Sequence, residues 1–261
     1  MDVTLITGAS AGLGEGFARA LAAQKRNLLL VARREDRLAA LAVELAERHG
    51  VAVETFAVDL GDPNAGEMLM AEVATRGLVI DALINNAGFG ARGPFVEIDL
   101  VEQRRMIGVN CTALMELCHR VLPGMIERKR GGILNVASTA SFQPGPWMAV
   151  YYATKAFVLS FSEALHEEVK AQGVKVAALC PGPTRTEFAD VAGMRDSALF
   201  TRFAVSPDAV VRDGLAALEH NRAVKISGAL NAVMAESIRF TPRILARRIA
   251  GGLQKTRQAQ P

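Results

Sequence analysis

Residues 7–14, TGASAGLG, decide the fold. The apolar run Val3–Thr7 comes directly before this turn, and a helical pattern follows from Leu13 to about Gln24. A strand, a glycine-rich turn and a helix in this order place backbone N–H groups and a helix N-terminus where they can bind a phosphate. The dinucleotide fingerprint G-x-G-x-x-G is not met, because Phe17 stands at its third glycine. An ordinary tight turn therefore stays open as an alternative.

Strand-like apolar segments alternate with helical patterns along residues 1–235. The strand-like segments are Val3–Thr7, Asn27–Ala32, Val51–Val58, Val79–Ile84, Gly132–Ala137, Val174–Leu179 and Val224–Ile226. This alternation predicts one α/β domain of the Rossmann type, a doubly wound parallel seven-stranded sheet with helices on both faces. Residues 236–261 form a basic C-terminal tail, predicted to be helical because Ile244, Leu245, Ile249 and Leu253 recur at helical spacing.

Composition excludes several classes of protein. The net charge of +3 is mild, and no basic stripe interleaved with aromatic residues indicates nucleic-acid binding. Cys111, Cys118 and Cys180 are odd in number and scattered, which favours reduced thiols and a cytoplasmic protein. The first six residues predict a strand rather than a secretory signal. The histidines show no ligand spacing, so no metal site is expected.

Tyr151 and Lys155 are the candidate acid–base pair. Four residues apart on a helix, they share one face. A free phenol titrates near pH ~10, and a nearby ammonium group favours the phenolate and lowers that pKa. The spacing suits a general acid–base tyrosine, although such a pair is more often a surface contact. Ser138 directly follows the fifth strand, where an open α/β sheet binds its ligands.

Arg33 and Arg34 end the second predicted strand. An NAD site carries Asp or Glu at this place to bind the ribose 2′-hydroxyl, whereas an arginine can bind a 2′-phosphate with two hydrogen bonds. The pair therefore predicts NADP preference. The alternative is that both are solvated charges at the start of a helix.

Taken together, these motifs resemble the short-chain dehydrogenase/reductase family in its compact single-domain branch. The resemblance covers roughly residues 3–230. The matching pieces, in the family's order and spacing, are TGASAGLG at 7–14, Asp59-Leu60, NNAG at 85–88, Asn110, Ser138, Tyr151-x-x-x-Lys155 and Pro181-Gly182.

The resemblance implies a role for each matching residue. Tyr151 would exchange the proton with the substrate oxygen, Lys155 would lower its pKa and hold the nicotinamide ribose, Ser138 would polarise the carbonyl, and Asn110 would hold a water beneath Lys155. The residues implied to bind NADP(H), besides Tyr151 and Lys155, are Gly8, Ser10, Gly12, Leu13, Gly14, Arg33, Arg34, Asp59, Leu60, Asn86, Ala87, Gly88, Pro181, Gly182, Thr184 and Thr186. The family's NADP users often carry a base in the glycine turn where Ala11 stands here. NADP preference therefore rests on Arg33, Arg34 and Ser10.

The expected activity is hydride transfer between NADP(H) and a hydrophobic carbonyl compound or secondary alcohol. A 3-oxoacyl thioester reductase is the first alternative, and a non-catalytic dinucleotide sensor is the second. The apolar segment at about 183–205 is a candidate substrate lid. The basic tail is expected to pack on the domain or on a second subunit, and membrane-surface contact is the less favoured alternative. The family implies a homodimer or homotetramer.

Overall fold

The computed structural model describes residues 1–188, 192–193 and 205–254. Within them, parallel strands form one seven-stranded sheet in the order β3-β2-β1-β4-β5-β6-β7. The strands are β1 Asp2–Thr7, β2 Leu28–Ala32, β3 Val53–Ala57, β4 Val79–Asn85, β5 Gly131–Val136, β6 Val174–Cys180 and β7 Val224–Ile226. The order reverses between β1 and β4, and such a switch point opens a ligand crevice at the carboxyl ends of the strands.

Helices cover both faces of the sheet. They are α1 Gly12–Ala23, α2 Glu35–His49, α3 Ala65–Thr75, α4 Leu100–Ile107, α5 Leu114–Glu127, α6 Ala149–Val169, α7 Pro207–Glu219, α8 Ala229–Ser237 and α9 Arg243–Gln254. One buried cluster packs α1, α2 and α7 on the sheet, and another packs α3, α5 and α6 on its opposite face. Successive residues of β1 alternate between the two clusters, Leu5 facing one and Ile6 the other, as the two-residue period of a strand requires. The predicted doubly wound, seven-stranded α/β fold is confirmed.

The helical stretch from Leu100 to Glu127 is interrupted. A π-helical turn, Gly108–Ala113, separates α4 from α5 and contains Asn110. Such turns occur mostly at functional sites. After β5 and Ser138 the chain forms a 3₁₀ turn, Thr139–Phe142.

The C-terminal part folds over the carboxyl edge of the sheet. Helix α8 runs through residues 235 and 236, so the helical chain is continuous across the expected start of the tail. Of the candidate lid, residues 189–191 and 194–204 lie outside the described part of the chain, as do tail residues 255–261. None of the described helices is both long enough and apolar enough to span a bilayer.

Candidate active site

A cavity of about 610 Å³ lies at the carboxyl ends of the strands. The turn after β1, the start of α2, the β4 and β5 ends, α6 and the C-terminal helices all contribute to its wall. Every residue predicted for the site lines this cavity except Gly14 and Asn110. Residues predicted from motifs far apart along the chain therefore lie around one cavity.

The glycine turn needs glycine for two different reasons. Gly8 and Gly12 have φ angles of 66° and 59°, in the left-handed region that favours glycine. A Cβ on Gly8 would also lie 2.8 Å from the Asn86 side-chain nitrogen, and one on Gly12 would lie 3.2 Å from Thr186 Cβ. Gly14 lies in the first turn of α1, where a Cβ would overlap with the carbonyl oxygen of Gly8. Gly14 therefore lets α1 pack on the turn, and its contact with the cofactor stays a prediction.

The ends of β1 and β4 are tied together beneath this turn. Thr7 Oγ1 accepts hydrogen bonds from the backbone N–H groups of Asn86 and Ala87, both at 3.0 Å. Asn86 Nδ2 donates to the Thr7 carbonyl oxygen at 3.0 Å and to that of Gly8 at 3.3 Å. The side chain of Asn86 therefore fixes the turn, and the 86–88 segment presents mainly backbone to the cavity.

Tyr151 lies in the middle of the cavity wall. It is 8% exposed, and the ring of Phe188 lies over it with centroids 5.4 Å apart. Burial raises the pKa of Tyr151 above its ordinary value, and a hydrogen bond with Ser138 opposes this rise. Ser138 Oγ itself accepts from the Ala140 N–H at 3.0 Å. The depressed pKa expected for Tyr151 is therefore wrong for this site, because the loss of solvation outweighs the polar neighbours.

Lys155 is buried one helical turn beyond Tyr151. It is 5% exposed, and its Nζ donates to the carbonyl oxygen of Val136 at 2.7 Å. Burial lowers the pKa of Lys155 to about 8, while the neighbouring Cys111 and Cys180 act in the opposite direction. The carbonyl at the end of β5 thus fixes the position of the ammonium group, which was expected to act on the phenol.

Asn110 supports the site through hydrogen bonds made outside the cavity. Its Nδ2 donates to the Phe89 carbonyl at 2.9 Å and to Thr154 Oγ1 at 3.0 Å, and its Oδ1 accepts from the Phe89 N–H at 3.0 Å. Thr154 Oγ1 in turn donates to the Tyr151 carbonyl at 2.7 Å. Asn110 therefore fixes the backbone of the 88–89 segment and the first turns of α6 without lining the cavity.

Charged residues surround the opposite end of the cavity. Arg34 donates through Nε to Ser10 Oγ at 3.1 Å and pairs through Nη1 with Glu187 at 3.0 Å. Glu187 also pairs with Arg37 at 2.7 Å, and these two guanidinium groups lower the pKa of its carboxyl. Arg33 is exposed at the same rim. Asp59 pairs with Arg105 and accepts from the Gly61 N–H. Glu187 could not be identified from the sequence, because its partners lie about 150 residues away along the chain.

The C-terminal helices form the apolar end of the cavity, which the motifs did not predict. Its side chains come mainly from α8, α9 and the turn between them: Met234, Ile238, Ala246, Ile249 and Leu253. Gln254, the last described residue, donates from Nε2 to the hydroxyl of Tyr152 at 2.8 Å. Arg92 donates through Nε to the Gln254 carbonyl at 2.8 Å and through Nη1 to the Gly193 carbonyl at 3.3 Å. A single guanidinium thus binds the end of α9 and the 192–193 turn.

The cysteines are free and buried, as expected of reduced thiols. Burial raises the pKa of Cys111 to about 11 and those of Cys118 and Cys180 to about 12. In the described part of the chain no group of His, Cys, Asp and Glu could hold a metal ion.

Comparisons with known proteins agree with this geometry. The family model described as short chain dehydrogenase matches residues 2–195. A very-long-chain 3-oxoacyl-CoA reductase of Bos taurus is 35% identical over 72% of this chain, but the match spans only 61% of that relative. Sulfoacetaldehyde reductase 2 of Chromohalobacter salexigens is 37% identical over 81% of each chain. A short-chain dehydrogenase from Sphingobium yanoikuyae in complex with NADPH is 34% identical, with a TM-score of 0.83 over 100% of this chain and 98% of that one. The chain therefore belongs to the short-chain dehydrogenase/reductase family.

Proposed function

We propose that the chain interconverts ketones and secondary alcohols with NADP(H), acting on a mainly apolar substrate. The observation that carries the proposal is one continuous cavity. It has a glycine turn and arginines at one end, Ser138, Tyr151 and Lys155 in the middle, and apolar helix side chains at the other end.

The residues present fit a nicotinamide dinucleotide. The glycine turn lines the cavity and leads into the N-terminus of α1, which favours a pyrophosphate. Asp59, Leu60 and the 86–88 segment would flank the adenosine, while Pro181, Gly182, Thr184 and Thr186 would hold the nicotinamide end. Lys155 would bind the nicotinamide ribose. The bound cofactor supplies or accepts the hydride.

The protein supplies the proton. Tyr151 would donate from its hydroxyl to the substrate oxygen in reduction and accept the proton in oxidation. Ser138 Oγ accepts from the Ala140 N–H, and its hydroxyl group, which is hydrogen-bonded to Tyr151, would donate its proton to the same substrate oxygen. Phe188 over the Tyr151 ring would exclude water. We propose that Phe188 belongs to a substrate lid at about 183–205.

NADP is the proposed cofactor because of Arg33, Arg34 and Ser10. The contact between Arg34 and Ser10 already places a guanidinium beside the glycine turn, and the exposed Arg33 stands at the same rim. The Sphingobium yanoikuyae structure contains NADPH, and so does an L-sorbose reductase from Gluconobacter frateurii that is 28% identical.

The apolar end of the cavity favours a bulky ketone. Two structural neighbours agree with this size class. They are a bulky-bulky ketone specific alcohol dehydrogenase from Comamonas testosteroni, 28% identical with a TM-score of 0.78, and a 7beta-hydroxysteroid dehydrogenase, 26% identical with a TM-score of 0.86. The 3-oxoacyl-CoA reductases among the relatives favour a 3-oxoacyl thioester as the second candidate.

Replacing Tyr151 by Phe tests the mechanism. We expect Tyr151→Phe to bind NADPH as the parent does and to lose about 10²–10⁴-fold in turnover, the usual contribution of a positioned acid. Near-normal turnover in this variant would remove the mechanism. Comparing kcat/KM for bulky aryl ketones with that for 3-oxoacyl thioesters separates the two substrate classes. Tight NADPH binding with no turnover across both classes would favour the sensor.

The assembly and location are also proposals. Exposed apolar side chains on α4, α5 and α6, such as Leu100, Val101, Met115 and Phe157, support a homodimer or homotetramer, which light scattering would measure. The buried free thiols support a cytoplasmic location. Since α9 lies against the cavity, the basic tail is proposed to belong to the domain rather than to a membrane surface. Vesicle co-sedimentation with and without anionic lipid tests this.

A further inference from the structure

Gln254 places a buried amide group in the wall of the mainly apolar end of the cavity. The residue is 1% exposed, and its Oε1 has no hydrogen-bond partner among the described residues. Its Nε2 already donates to the Tyr152 hydroxyl, so Oε1 is the unpaired polar atom of the amide. A buried acceptor without a partner is unfavourable, and a native structure normally has a reason for one.

Contacts with Arg92 and Tyr152 hold Gln254 in place. Arg92 binds the Gln254 backbone carbonyl at 2.8 Å, so the end of α9 is fixed to the domain. The ring of Tyr152 packs over Gly145 so closely that a Cβ there would overlap it. Hydrogen bonds from Gln254 and Gln143 oppose the rise in the pKa of Tyr152 that burial causes. The acceptor is therefore preorganised.

We propose that Gln254 Oε1 is a specificity determinant that accepts a hydrogen bond from a hydroxyl or N–H group of the substrate, remote from the reacting carbonyl. This inference rests on the proposed function and narrows its substrate class to bulky apolar ketones that carry a second, hydrogen-bond-donating group. The rings of Tyr151 and Tyr152 lie edge to face with centroids 6.0 Å apart, so the reacting group and the second group occupy one cavity.

Matched substrates test the proposal. Aryl ketones carrying either a hydroxymethyl or an ethyl group at the same ring position are compared, with a methoxymethyl ketone as the acceptor-only analogue. Each group is placed at the meta and at the para position of the ring, which varies its distance from the reacting carbonyl. We expect the parent to favour the best-placed hydroxymethyl ketone about tenfold in kcat/KM over its ethyl analogue. Gln254→Met, close in size and without the amide oxygen, should remove this preference, measured as the ratio of the two kcat/KM values within the same variant. Gln172→Met is the control, since the Gln172 amide also donates a hydrogen bond, to the Glu168 carbonyl, but is exposed away from the cavity.

The outcomes separate the subsite from the proposed function. Two results would overturn the proposal for Gln254 and leave the proposed function intact. One is turnover of the ethyl ketones with no preference for the hydroxymethyl ketone at either ring position. The other is a preference that survives Gln254→Met. A preference for the methoxymethyl ketone would mean that the amide presents its N–H to the cavity, which also overturns it. If no ketone is reduced, or if the variant does not fold, calorimetry on the parent protein with NADP decides. Equal affinity for the matched hydroxymethyl and ethyl compounds then refutes the proposal, and tighter binding of the former supports it.

Discussion

Replacing Lys155 by Met should change how the stability of the cofactor-free protein depends on pH. Burial lowers the pKa of Lys155 to about 8 in the folded chain, against about 10.4 when the chain is unfolded. Between these values the unfolded chain binds more protons than the folded one, so stability rises with pH. Below pH ~8 the buried ammonium costs about 3 kcal/mol, and this cost disappears as the pH rises through the window.

The measurement is urea unfolding of the parent and of Lys155→Met across this window. The parent should gain about 2 kcal/mol relative to the variant between pH ~7 and pH ~9.5. Taking the difference removes the contributions of Tyr151 and the buried cysteines, which both proteins share. Lys175→Met is the matched control, because Lys175 is exposed and its Nζ likewise donates to a backbone carbonyl, that of Glu219, at 2.7 Å. A difference between parent and Lys155→Met that is flat or falls with rising pH would refute the reasoning.

Two further predictions concern the glycine turn and the cofactor. Gly14→Ala should destabilise the protein by about 2 kcal/mol or more, because its Cβ would meet the backbone carbonyl of Gly8. The control is Gly252→Ala, since Gly252 is exposed on α9 with open space around it. This variant should be more stable by up to about 1 kcal/mol. Thermal unfolding measures both, and equal effects would contradict the packing assigned to Gly14. Arg33→Asp should invert the ratio of NADPH to NADH affinities, with a loss on the order of tenfold or more for NADPH. Fluorescence titration measures it, and an unchanged ratio would show that Arg33 does not bind the 2′-phosphate.

The sheet and the part of the cavity wall that carries the motifs could be predicted because they depend on local patterns. Apolar strands, turn glycines and the four-residue spacing of Tyr151 and Lys155 are visible in the chain itself. The topology then brings the strand ends to one edge.

What the sequence did not predict depends on contacts between distant residues. The π turn contains Asn110, whose amide pairs with Phe89, and no local propensity encodes that pairing. The pKa of Tyr151 is raised because the cavity, with Phe188 over the ring, takes the phenol out of water. Neighbouring asparagines also differ: Asn86 fixes the glycine turn, whereas Asn85 donates to Asn135 deep in the core.

Arg92 has a practical consequence for anyone who expresses this protein. One side chain joins the last described turn of the chain to the 192–193 turn beside the cavity, so a sequence appended soon after Gln254 would begin close to that junction. An affinity handle placed there would lie near the proposed substrate end of the cavity and could disturb binding. A handle fused ahead of β1 would enter at the amino edge of the sheet, on the far side from the catalytic crevice, and would leave kinetic comparisons between variants undisturbed.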